Sequence, residues 1–372
     1  MPKRKKIKIE KPSFIDLFAG AGGLSVGIER AGFKLIAATD WDHWCCETLR
    51  KNHKNIVVQE GDIAQVDLND FAKRIGKKTV DLIVGGPPCQ GFSQLGKRIK
   101  NDPRNQLWRE YMRFVDFFRP KAFLIENVPQ LLASDEFEEI KKEAEKLGYE
   151  IQAKILYAVD YGVPQKRKRA IIIGSRIGKP KHPEPTHSSP DKLTLFSMNL
   201  KPWITVKDAI GNLPLKPNGK NWHIGRNPTP LSLMRYKSIP PGGNRFDLPS
   251  KLSPECWKRK LTGSTDVFGR LEWNKPSLTI RTEFFKPEKG RYLHPQAHRP
   301  ITIREAARLQ TFPDSYVFVG SNVQAAKQIG NAVPICLAFE IGKELLQFIN
   351  TPANDLQKKA IDRVSALQSQ SI

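Results

Sequence analysis

The feature that most restricts the fold of this chain is an apolar run, residues 80–84, that stops at Gly85-Gly86-Pro87-Pro88-Cys89. A short apolar run bounded by glycine and proline predicts a buried strand followed by a tight turn. Such a turn would hold a thiol at the carboxyl edge of a sheet, where open α/β folds bind ligands. On this stretch alone, a buried cysteine that only fills space is an equally good interpretation.

The same succession of strand and turn recurs along the chain and predicts an α/β fold. Residues 14–18 are largely apolar and run into Ala19-Gly20-Ala21-Gly22-Gly23, after which a helical pattern extends to Gly32. Further strands are expected at residues 34–39, 56–59, 122–125, 149–157 and 170–173, and helices near 107–118 and 137–147.

The balance of charged residues indicates which class of partner the chain binds. Its 372 residues include 61 Lys and Arg but only 38 Asp and Glu, a formal net charge of +23. This excess favours a polyanion, most simply nucleic acid, over a merely basic enzyme without such a partner. No apolar run could span a bilayer and no secretory signal is visible, so no membrane association is expected. Five cysteines without disulfide or metal-ligand spacing fit a reducing, cytosolic setting.

The first turn has the features of an adenosine-binding site. A strand, a glycine turn and a helix in succession receive nucleotide-like ligands at the helix amino terminus. Asp40 lies about 20 residues beyond the first glycine, which suits ribose hydroxyls, and Trp41 could stack on an adenine. Asp62 ends the next strand and is either a ligand or a loop cap. Ser25 stands where a third glycine would complete the dinucleotide fingerprint, so a nicotinamide dinucleotide is disfavoured.

Two more charged positions belong to strand ends. Glu126 follows the strand predicted at residues 122–125, which is expected beside the strand that precedes Cys89. An acid that only caps a helix or forms a salt bridge would give the same pattern. Arg167 and Arg169 alternate, so they are expected to point to one face, unless they form a solvated edge. The polar, basic composition of residues 96–105 predicts a loop in which Lys97 and Arg98 could meet phosphates.

A change of composition indicates a second domain. From residue 179 to about 264 the chain is rich in Pro, Asn, Ser and Lys and has little helical periodicity, which predicts a smaller, irregular domain. Helical patterns resume at Arg304, and a last apolar helix extends to Phe348. The expected division is a first domain at 12–180, a second domain with its hinge at 181–321, a return to the first domain at 322–350, and tails at 1–11 and 351–372.

Six motifs in a fixed order resemble those of the DNA cytosine-5 methyltransferase family, bacterial restriction-modification type, over residues 14–349. They are Asp16-Leu17-Phe18-Ala19-Gly20-Ala21-Gly22-Gly23, Gly86-Pro87-Pro88-Cys89-Gln90-Gly91-Phe92-Ser93, Glu126-Asn127-Val128, Gln165-Lys166-Arg167-Lys168-Arg169, Arg304-Glu305-Ala306-Ala307-Arg308-Leu309-Gln310 and Gln328-Ile329-Gly330-Asn331-Ala332-Val333. The resemblance implies a doubly wound, Rossmann-like catalytic domain that uses S-adenosylmethionine, and a small target-recognition domain. It also implies that the final helix returns to the catalytic domain.

The resemblance also implies catalytic roles. Cys89 would be the nucleophile that adds to carbon 6 of a flipped-out cytosine, which makes carbon 5 enamine-like. Glu126 would act at ring nitrogen 3, and Arg169 would hold the base carbonyl oxygen. Arg167 would support the loop or the electrostatics of the site. No residue is identified that removes the hydrogen from carbon 5, so a water is the expected base.

The implied ligand contacts fall into two groups, and no metal is expected. The residues implied to bind the methyl donor are Phe18, Gly20, Gly22, Gly23, Asp40, Trp41, Asp62, Ile63, Pro88 and Asn331. The residues implied to bind DNA are Gln90, Ser93, Lys97 and Arg98, in a loop that closes over the base, and Thr262 near the recognition loop.

The expected substrate is a short specific sequence in double-stranded DNA, and a cognate restriction endonuclease could act separately. A monomer in the cytoplasm of a bacterium or archaeon, associated with the nucleoid, is expected. A tRNA cytosine-5 methyltransferase of the same fold is the main alternative, although Ser93 stands where such enzymes tend to have threonine. A catalytically inactive DNA-binding relative is the second alternative, and the intact set of Cys89, Glu126 and Arg169 argues against it.

Overall fold

A central sheet organises the molecule, a computed structural model that describes residues 10–88, 106–192, 199–259 and 262–351. The strands, in chain order, are β1 (Ser13–Leu17), β2 (Lys34–Asp40), β3 (Val57–Glu60), β4 (Leu82–Gly85), β5 (Ala122–Asn127), β6 (Glu150–Tyr157), β7 (Gln165–Lys166), β8 (Lys168–Ser175), β9 (His187–Ser188), β10 (Lys201–Pro202), β11 (Gly269–Arg270), β12 (Ser277–Leu278) and β13 (Arg291–Leu293). Seven of them form one sheet in the order β3-β2-β1-β4-β5-β8-β6.

Strand direction brings the turns of the sequence motifs to one edge of this sheet. Strands β3, β2, β1, β4 and β5 are parallel, so their carboxyl ends lie at the same edge. Strand β8 runs antiparallel to both β5 and β6, and it therefore begins at that edge. In this register Asn127 of β5 pairs with Ala170, the residue after Arg169.

The helices are α1 (Gly23–Ala31), α2 (His43–Asn52), α3 (Leu68–Ile75), α4 (Leu107–Phe118), α5 (Asp135–Lys146), α6 (Val206–Ile210), α7 (Pro230–Ser238), α8 (Glu255–Lys258), α9 (Ile303–Leu309), α10 (Asn322–Asn331) and α11 (Ile335–Asn350). None of the helices in the described residues combines the length and the hydrophobicity that a membrane span requires.

Helices cover both faces of the sheet. One core lies between the sheet and α3, α4 and α5, and it contains Phe71, Phe114 and Ile140. The other lies between the sheet and α1 and α11, and it contains Ile28 and Leu337. Burial on both faces explains why the central strands β4, β5 and β8 each contain an apolar run. The prediction of a doubly wound α/β fold is confirmed.

Close packing of glycines joins the last helix to the first. A Cβ on Gly23 would lie 2.3 Å from the carbonyl oxygen of Val333, and a Cβ on Gly27 would lie 2.3 Å from the Cβ of Ala338. Only residues without a side chain allow α1 to approach the chain at this distance. Helix α11 therefore packs directly on the helix that follows the glycine turn.

The region between β8 and α9 has short elements and two cores. A small core groups Tyr236, Ile239, Leu248, Phe268 and Leu293. A larger core extends from Ala21 to Ile335 and combines this region with α9 and α10. The predicted domain boundaries at 181, 321 and 350 are not tested by these packing contacts and stay predictions.

Helix α7 is a difference from the sequence analysis, which expected little helix between residues 179 and 264. Its start is well marked, because Pro230 occupies the first position and the Thr229 hydroxyl accepts the backbone N–H of Ser232. This cap and proline are ordinary helix-start signals. They were missed because the helix has only nine residues and a weak apolar stripe.

Candidate active site

The glycine turn between β1 and α1 lies at the carboxyl edge of the sheet and has open space on one side. Phe18, Gly20 and Gly22 have positive φ angles of 57°, 55° and 74°. A Cβ on Gly22 would lie 2.9 Å from Tyr316 Oη, whereas a Cβ on Gly20 would meet nothing within 4 Å. The backbone therefore packs tightly behind the turn and faces free space in front of it, beside the amino terminus of α1. This arrangement suits a ligand that accepts backbone N–H groups.

Asp40 ties the glycine turn to the end of β2. Its Oδ2 accepts the backbone N–H of Gly20 at 2.7 Å, and its Oδ1 accepts that of Asp42 at 2.9 Å. Burial raises the pKa of this carboxyl above its ordinary value, and the two backbone hydrogen bonds oppose the shift. Each oxygen retains a lone pair, so a ribose contact is compatible with these bonds and stays a prediction. The adjacent Trp41 side chain is 79% exposed, which is unusual for tryptophan and fits a ligand contact.

Asp62 caps a short helical turn. Its Oδ1 accepts the backbone N–H of Ala64 at 3.0 Å, so the capping alternative from the sequence analysis describes one of its oxygens. Ile63 is buried in the core beside α3 and α4, and only a small part of it could meet a ligand. The adenine contacts implied for both residues remain predictions.

The structure pairs Ser25 with Asp16, a residue that the sequence analysis did not single out. The Ser25 hydroxyl donates to Asp16 Oδ2 at 2.5 Å, and both residues are fully buried beneath the glycine turn. Asp16 Oδ1 is buried without a hydrogen-bond partner. Burial, reinforced by Asp40, raises the pKa of Asp16 to about 7. The sequence contained one signal for this pair. Ser25 stands where the glycine fingerprint expects a glycine, and an acid lies nine residues before it.

Glu126, Arg169 and the chain before Cys89 meet at the end of β5. Arg169 Nε lies 2.8 Å from Glu126 Oε1, and both side chains are largely buried. A Cβ on Gly86 would lie 3.3 Å from Glu126 Oε2, so the glycine allows the turn to approach the carboxylate. The Asn127 amide donates to the carbonyl oxygen of Pro87 at 2.8 Å. The turn is thereby held against the Glu126–Arg169 pair.

Several predicted site residues lie outside the described residues. These are Cys89, Gln90, Ser93, Lys97 and Arg98. Pro88 is the last described residue before them and is partly buried.

Arg167 is a buried link between distant segments. Its Nη1 donates to the carbonyl oxygens of Ile280, at 3.2 Å, and Gly330, at 3.3 Å. Burial holds its pKa well below the ordinary value, and Arg169 acts in the same direction. The strand is interrupted at Arg167, between β7 and β8, so the alternation that predicted a common face with Arg169 does not apply across it.

A chain of glutamines connects three of the motifs. Gln165 donates to the side-chain oxygen of Gln310 at 2.9 Å and accepts the backbone N–H of Ile280. Gln310 donates in turn to the carbonyl oxygen of Ile329 at 2.7 Å. A Cβ on Gly330 would lie 2.4 Å from the backbone of Arg281 and Thr282. These motif residues thus hold α9 and α10 against β7.

Two predicted ligand-binding residues, Asn331 and Thr262, form no hydrogen bond with the Glu126–Arg169 pair in the described part of the structure. Asn331 is exposed at the end of α10. Thr262 is exposed, and its carbonyl oxygen accepts a hydrogen bond from Arg245 at 2.8 Å in the region of the small core. The structure gives neither side chain a partner that tests its predicted role.

One cluster of metal-ligand type occurs within the described ranges. Ligand atoms of His43, Glu47 and Glu60 lie within 4.8 Å of one another. Arg50 already donates to Glu47 at 2.6 Å and to Glu60 at 2.8 Å. The guanidinium thus contacts both carboxylates and offsets part of their charge.

Comparison with known proteins identifies the family. The family model for C-5 cytosine-specific DNA methylases matches residues 12–347. The Type II methyltransferase M.PspPI of Psychrobacter is 40% identical over 92% of this chain and 81% of its own length. The Type II methyltransferase M1.HphI of Haemophilus parahaemolyticus is 35% identical over 90% of this chain and 87% of its own length.

Solved structures share the fold. A candidate DNA modification methyltransferase encoded by an Escherichia coli prophage superposes with a TM-score of 0.68 and 28% identity, over 92% of this chain and all of that one. The Schizosaccharomyces pombe Dnmt2 methyltransferase superposes with a TM-score of 0.61 at 20% identity, over 92% of this chain and all of its own, and shows the fold alone. With the family model and the curated relatives, the conclusion is direct: this chain belongs to the C-5 cytosine-specific DNA methylase family and is a DNA methyltransferase.

Proposed function

We propose that the enzyme methylates one cytosine within a short specific sequence of duplex DNA, through a covalent adduct of Cys89, as the modification half of a restriction-modification system. The observation that carries the proposal is the contact between the end of β5 and the turn before Cys89. Asn127 holds Pro87, and Gly86 approaches Glu126, so the two residues lie beside the Glu126–Arg169 pair just before Cys89 in the sequence.

The open side of the glycine turn fits S-adenosylmethionine. The donor would be held by the backbone of Phe18, Gly20, Gly22 and Gly23, with Asp40 at the ribose and the exposed Trp41 along the adenine. Asp62, Ile63, Pro88 and Asn331 would complete the pocket. The free space in front of Gly20 and the exposed indole support this assignment. When bound, the donor supplies an electrophilic methyl group.

The protein's own residues would activate the base. The Cys89 thiolate adds to carbon 6, and the electron pair displaced from the double bond makes carbon 5 nucleophilic. Glu126 meets ring nitrogen 3 and supplies or shares a proton there, which offsets the negative charge that develops on the ring, while Arg169 orients Glu126 and holds the carbonyl oxygen. After methylation, water removes the hydrogen of carbon 5 and Cys89 leaves. Arg167 contributes by fixing the carbonyls of Ile280 and Gly330 behind this site.

Access to the ring requires that the cytosine leave the base stack. Carbon 5 and carbon 6 of a paired cytosine are covered by neighbouring bases, so the enzyme must flip the nucleotide out. Gln90 and Ser93 would enter the gap, Lys97 and Arg98 would hold the backbone, and Thr262 would contribute to sequence recognition. The net charge of +23 supports binding to the phosphate backbone.

The direct test is methyl transfer by a Cys89→Ser variant, with Cys256→Ser as matched control because Cys256 is exposed in another region. The Cys89 variant should lose transfer to duplex DNA by a factor of about 10³ or more and keep its affinity for DNA. The control should retain full activity. Label transferred only to tRNA, or full activity of Cys89→Ser, would contradict the proposal.

The biological setting can be tested alongside. Bisulfite sequencing of DNA from cells that express the enzyme should reveal one short methylated sequence. The names of the Type II relatives support a separate endonuclease partner. A monomer in a bacterial or archaeal cytoplasm, associated with the nucleoid, is the arrangement we propose. Methylation without sequence preference would contradict the restriction-modification role.

A further inference from the structure

A concave basic surface lies at the edge of the sheet opposite to the candidate active site. We name it the far-edge groove. Its cavity has a volume of about 430 Å³, and its charged lining consists of Lys77, Lys78, Lys121, Arg176 and Asp81. Asp81 and Lys121 precede β4 and β5, and Arg176 follows β8, so the strand directions place the groove at the amino ends of the parallel strands.

The single carboxylate in the groove is already occupied. Asp81 Oδ1 lies 2.9 Å from the ammonium of Lys121, and Asp81 Oδ2 accepts the backbone N–H of Ser13 at 2.8 Å. Lys77 and Lys78 form no ion pair with any described residue, and Lys78 is exposed. The lining therefore carries an excess of three positive charges, four cations against one acid.

Arg176 is held in a fixed orientation at the rim. Its Nε donates to the carbonyl oxygens of Arg119, at 3.1 Å, and Pro120, at 3.0 Å. These bonds use one N–H of the five that a guanidinium carries, and the side chain remains exposed. A fixed guanidinium beside lysine ammonium groups is suited to phosphate oxygens, because guanidinium binds them in a forked manner and ammonium as a point charge.

Distance separates the groove from the substrate site. Strands β4 and β5 have four and six residues, which corresponds to roughly 13–20 Å between the two edges of the sheet. A duplex that presents a base at the Glu126 edge lies beyond the carboxyl ends of the strands, whereas the groove lies at their amino ends. The groove would need a separate polyanion.

We propose that the far-edge groove binds the phosphate backbone of a second duplex DNA segment while the first occupies the active site. DNA is favoured because it is the substrate of the family and because the lining of the groove carries an excess of three positive charges. The consequence is transfer of the enzyme between DNA segments. This proposal depends on DNA as substrate, but not on the roles given to Cys89 or to the methyl donor.

The test uses the full chain with Lys77→Glu/Lys78→Glu, and Lys141→Glu/Lys142→Glu as matched control. Lys141 and Lys142 are adjacent and exposed on α5 and form no ion pair within the described part of the chain, and both double variants change the charge by the same amount. Donor-labelled and acceptor-labelled short duplexes are mixed, and energy transfer reports bridging. The groove variant should reduce bridging at least tenfold, with the affinity for a single duplex changed less than twofold, while the control bridges normally.

Salt dependence provides a second readout. Each phosphate contact contributes about −0.9 to the slope of log K against log salt, so the bridging step should lose about 2 in slope when both lysines are reversed. Equal loss in both variants, no loss in either, or binding of inorganic phosphate without a second duplex would overturn the proposal. Bridging is also measured with Cys89→Ser. If this variant loses methyl transfer but still bridges two duplexes, the groove proposal and the proposed function are tested independently of each other.

Discussion

Replacement of Asp16 by asparagine should stabilise the protein at neutral and alkaline pH. Asp16 is fully buried, its Oδ2 accepts the Ser25 hydroxyl, and its Oδ1 has no partner. Asparagine has the shape of the protonated acid and keeps an oxygen that accepts from Ser25. It removes the ability to ionise in a buried position and places an amide NH2 group where Oδ1 stands. A gain in stability from a substitution beneath the cofactor turn would show that the turn holds a carboxylate at a cost to the fold.

The magnitude follows from the shift in pKa. Burial raises the pKa of Asp16 from 3.8 to about 7, while in the unfolded chain it returns to its ordinary value. Below 3.8 both states are protonated and there is no cost. Between 3.8 and about 7 the unfolded state ionises first, so the free energy of unfolding falls as pH rises, and above 7 the cost is constant. At about 1.36 kcal/mol per pH unit the limit is about 4 kcal/mol, and relaxation around the charge should reduce it to about 2–4 kcal/mol.

The assay is urea unfolding at pH 5 and pH 8.5, followed by tryptophan fluorescence. The advantage of Asp16→Asn over the wild type should be larger at pH 8.5. Asp40 is the charged neighbour that adds to the shift, whereas Tyr111 and Tyr316 face Asp16 as neutral hydroxyls at these pH values. A Ser25→Ala control should instead lower stability by about 1–3 kcal/mol, since it removes a donor from a buried acceptor. An Asp16→Asn variant that is destabilised equally at both pH values would refute the reasoning.

Three further substitutions separate binding, positioning and stability. Trp41→Ala should raise the Kd for S-adenosylmethionine about tenfold by calorimetry, with less than about 0.5 kcal/mol change in unfolding free energy, because the indole is 79% exposed; unchanged affinity would remove Trp41 from the pocket. Asn127→Ala should lower kcat about 10–100-fold and leave DNA affinity unchanged, since the bond to Pro87 positions the turn before the nucleophile; a loss confined to DNA affinity would contradict this. Gln310→Ala should cost about 2–4 kcal/mol in urea unfolding, because the buried amide of Gln165 loses one of its two acceptors and the hydrogen bond from Gln310 to Ile329 is lost as well; a cost under about 0.5 kcal/mol would show that water replaces these bonds.

Local patterns in the sequence were sufficient for the seven strands of the central sheet, with bounds that differ from the observed ones by one or two residues. The run predicted at 14–18 is β1 (Ser13–Leu17), and the run predicted at 122–125 is the start of β5 (Ala122–Asn127). Short apolar runs bounded by glycine and proline carry this information because a strand buried on both faces must be apolar and must end where the chain turns. The same patterns also indicated Asp40 and Glu126 at strand ends.

Contacts between distant segments could not be predicted in this way. Gln165 and Gln310 are separated by 145 residues, and Arg167 reaches the carbonyl of Gly330 across 163 residues. Alternation along a strand suggested that Arg167 and Arg169 would share one face, but the strand is interrupted at Arg167. Hydrogen bonds of this kind depend on packing of whole elements, and that information is absent from any short window of sequence.

The sequence by itself determined the α/β fold, the glycine turn and the residue types available for the chemistry of the site. Only the tertiary structure decided that Asn127 holds Pro87, that Glu126 pairs with Arg169, and that Ser25 serves Asp16. The physical reason is the range of the interactions. Apolar periodicity is written in neighbouring residues, whereas a hydrogen bond of about 3 Å exists only after the sheet has brought its strand ends to one edge.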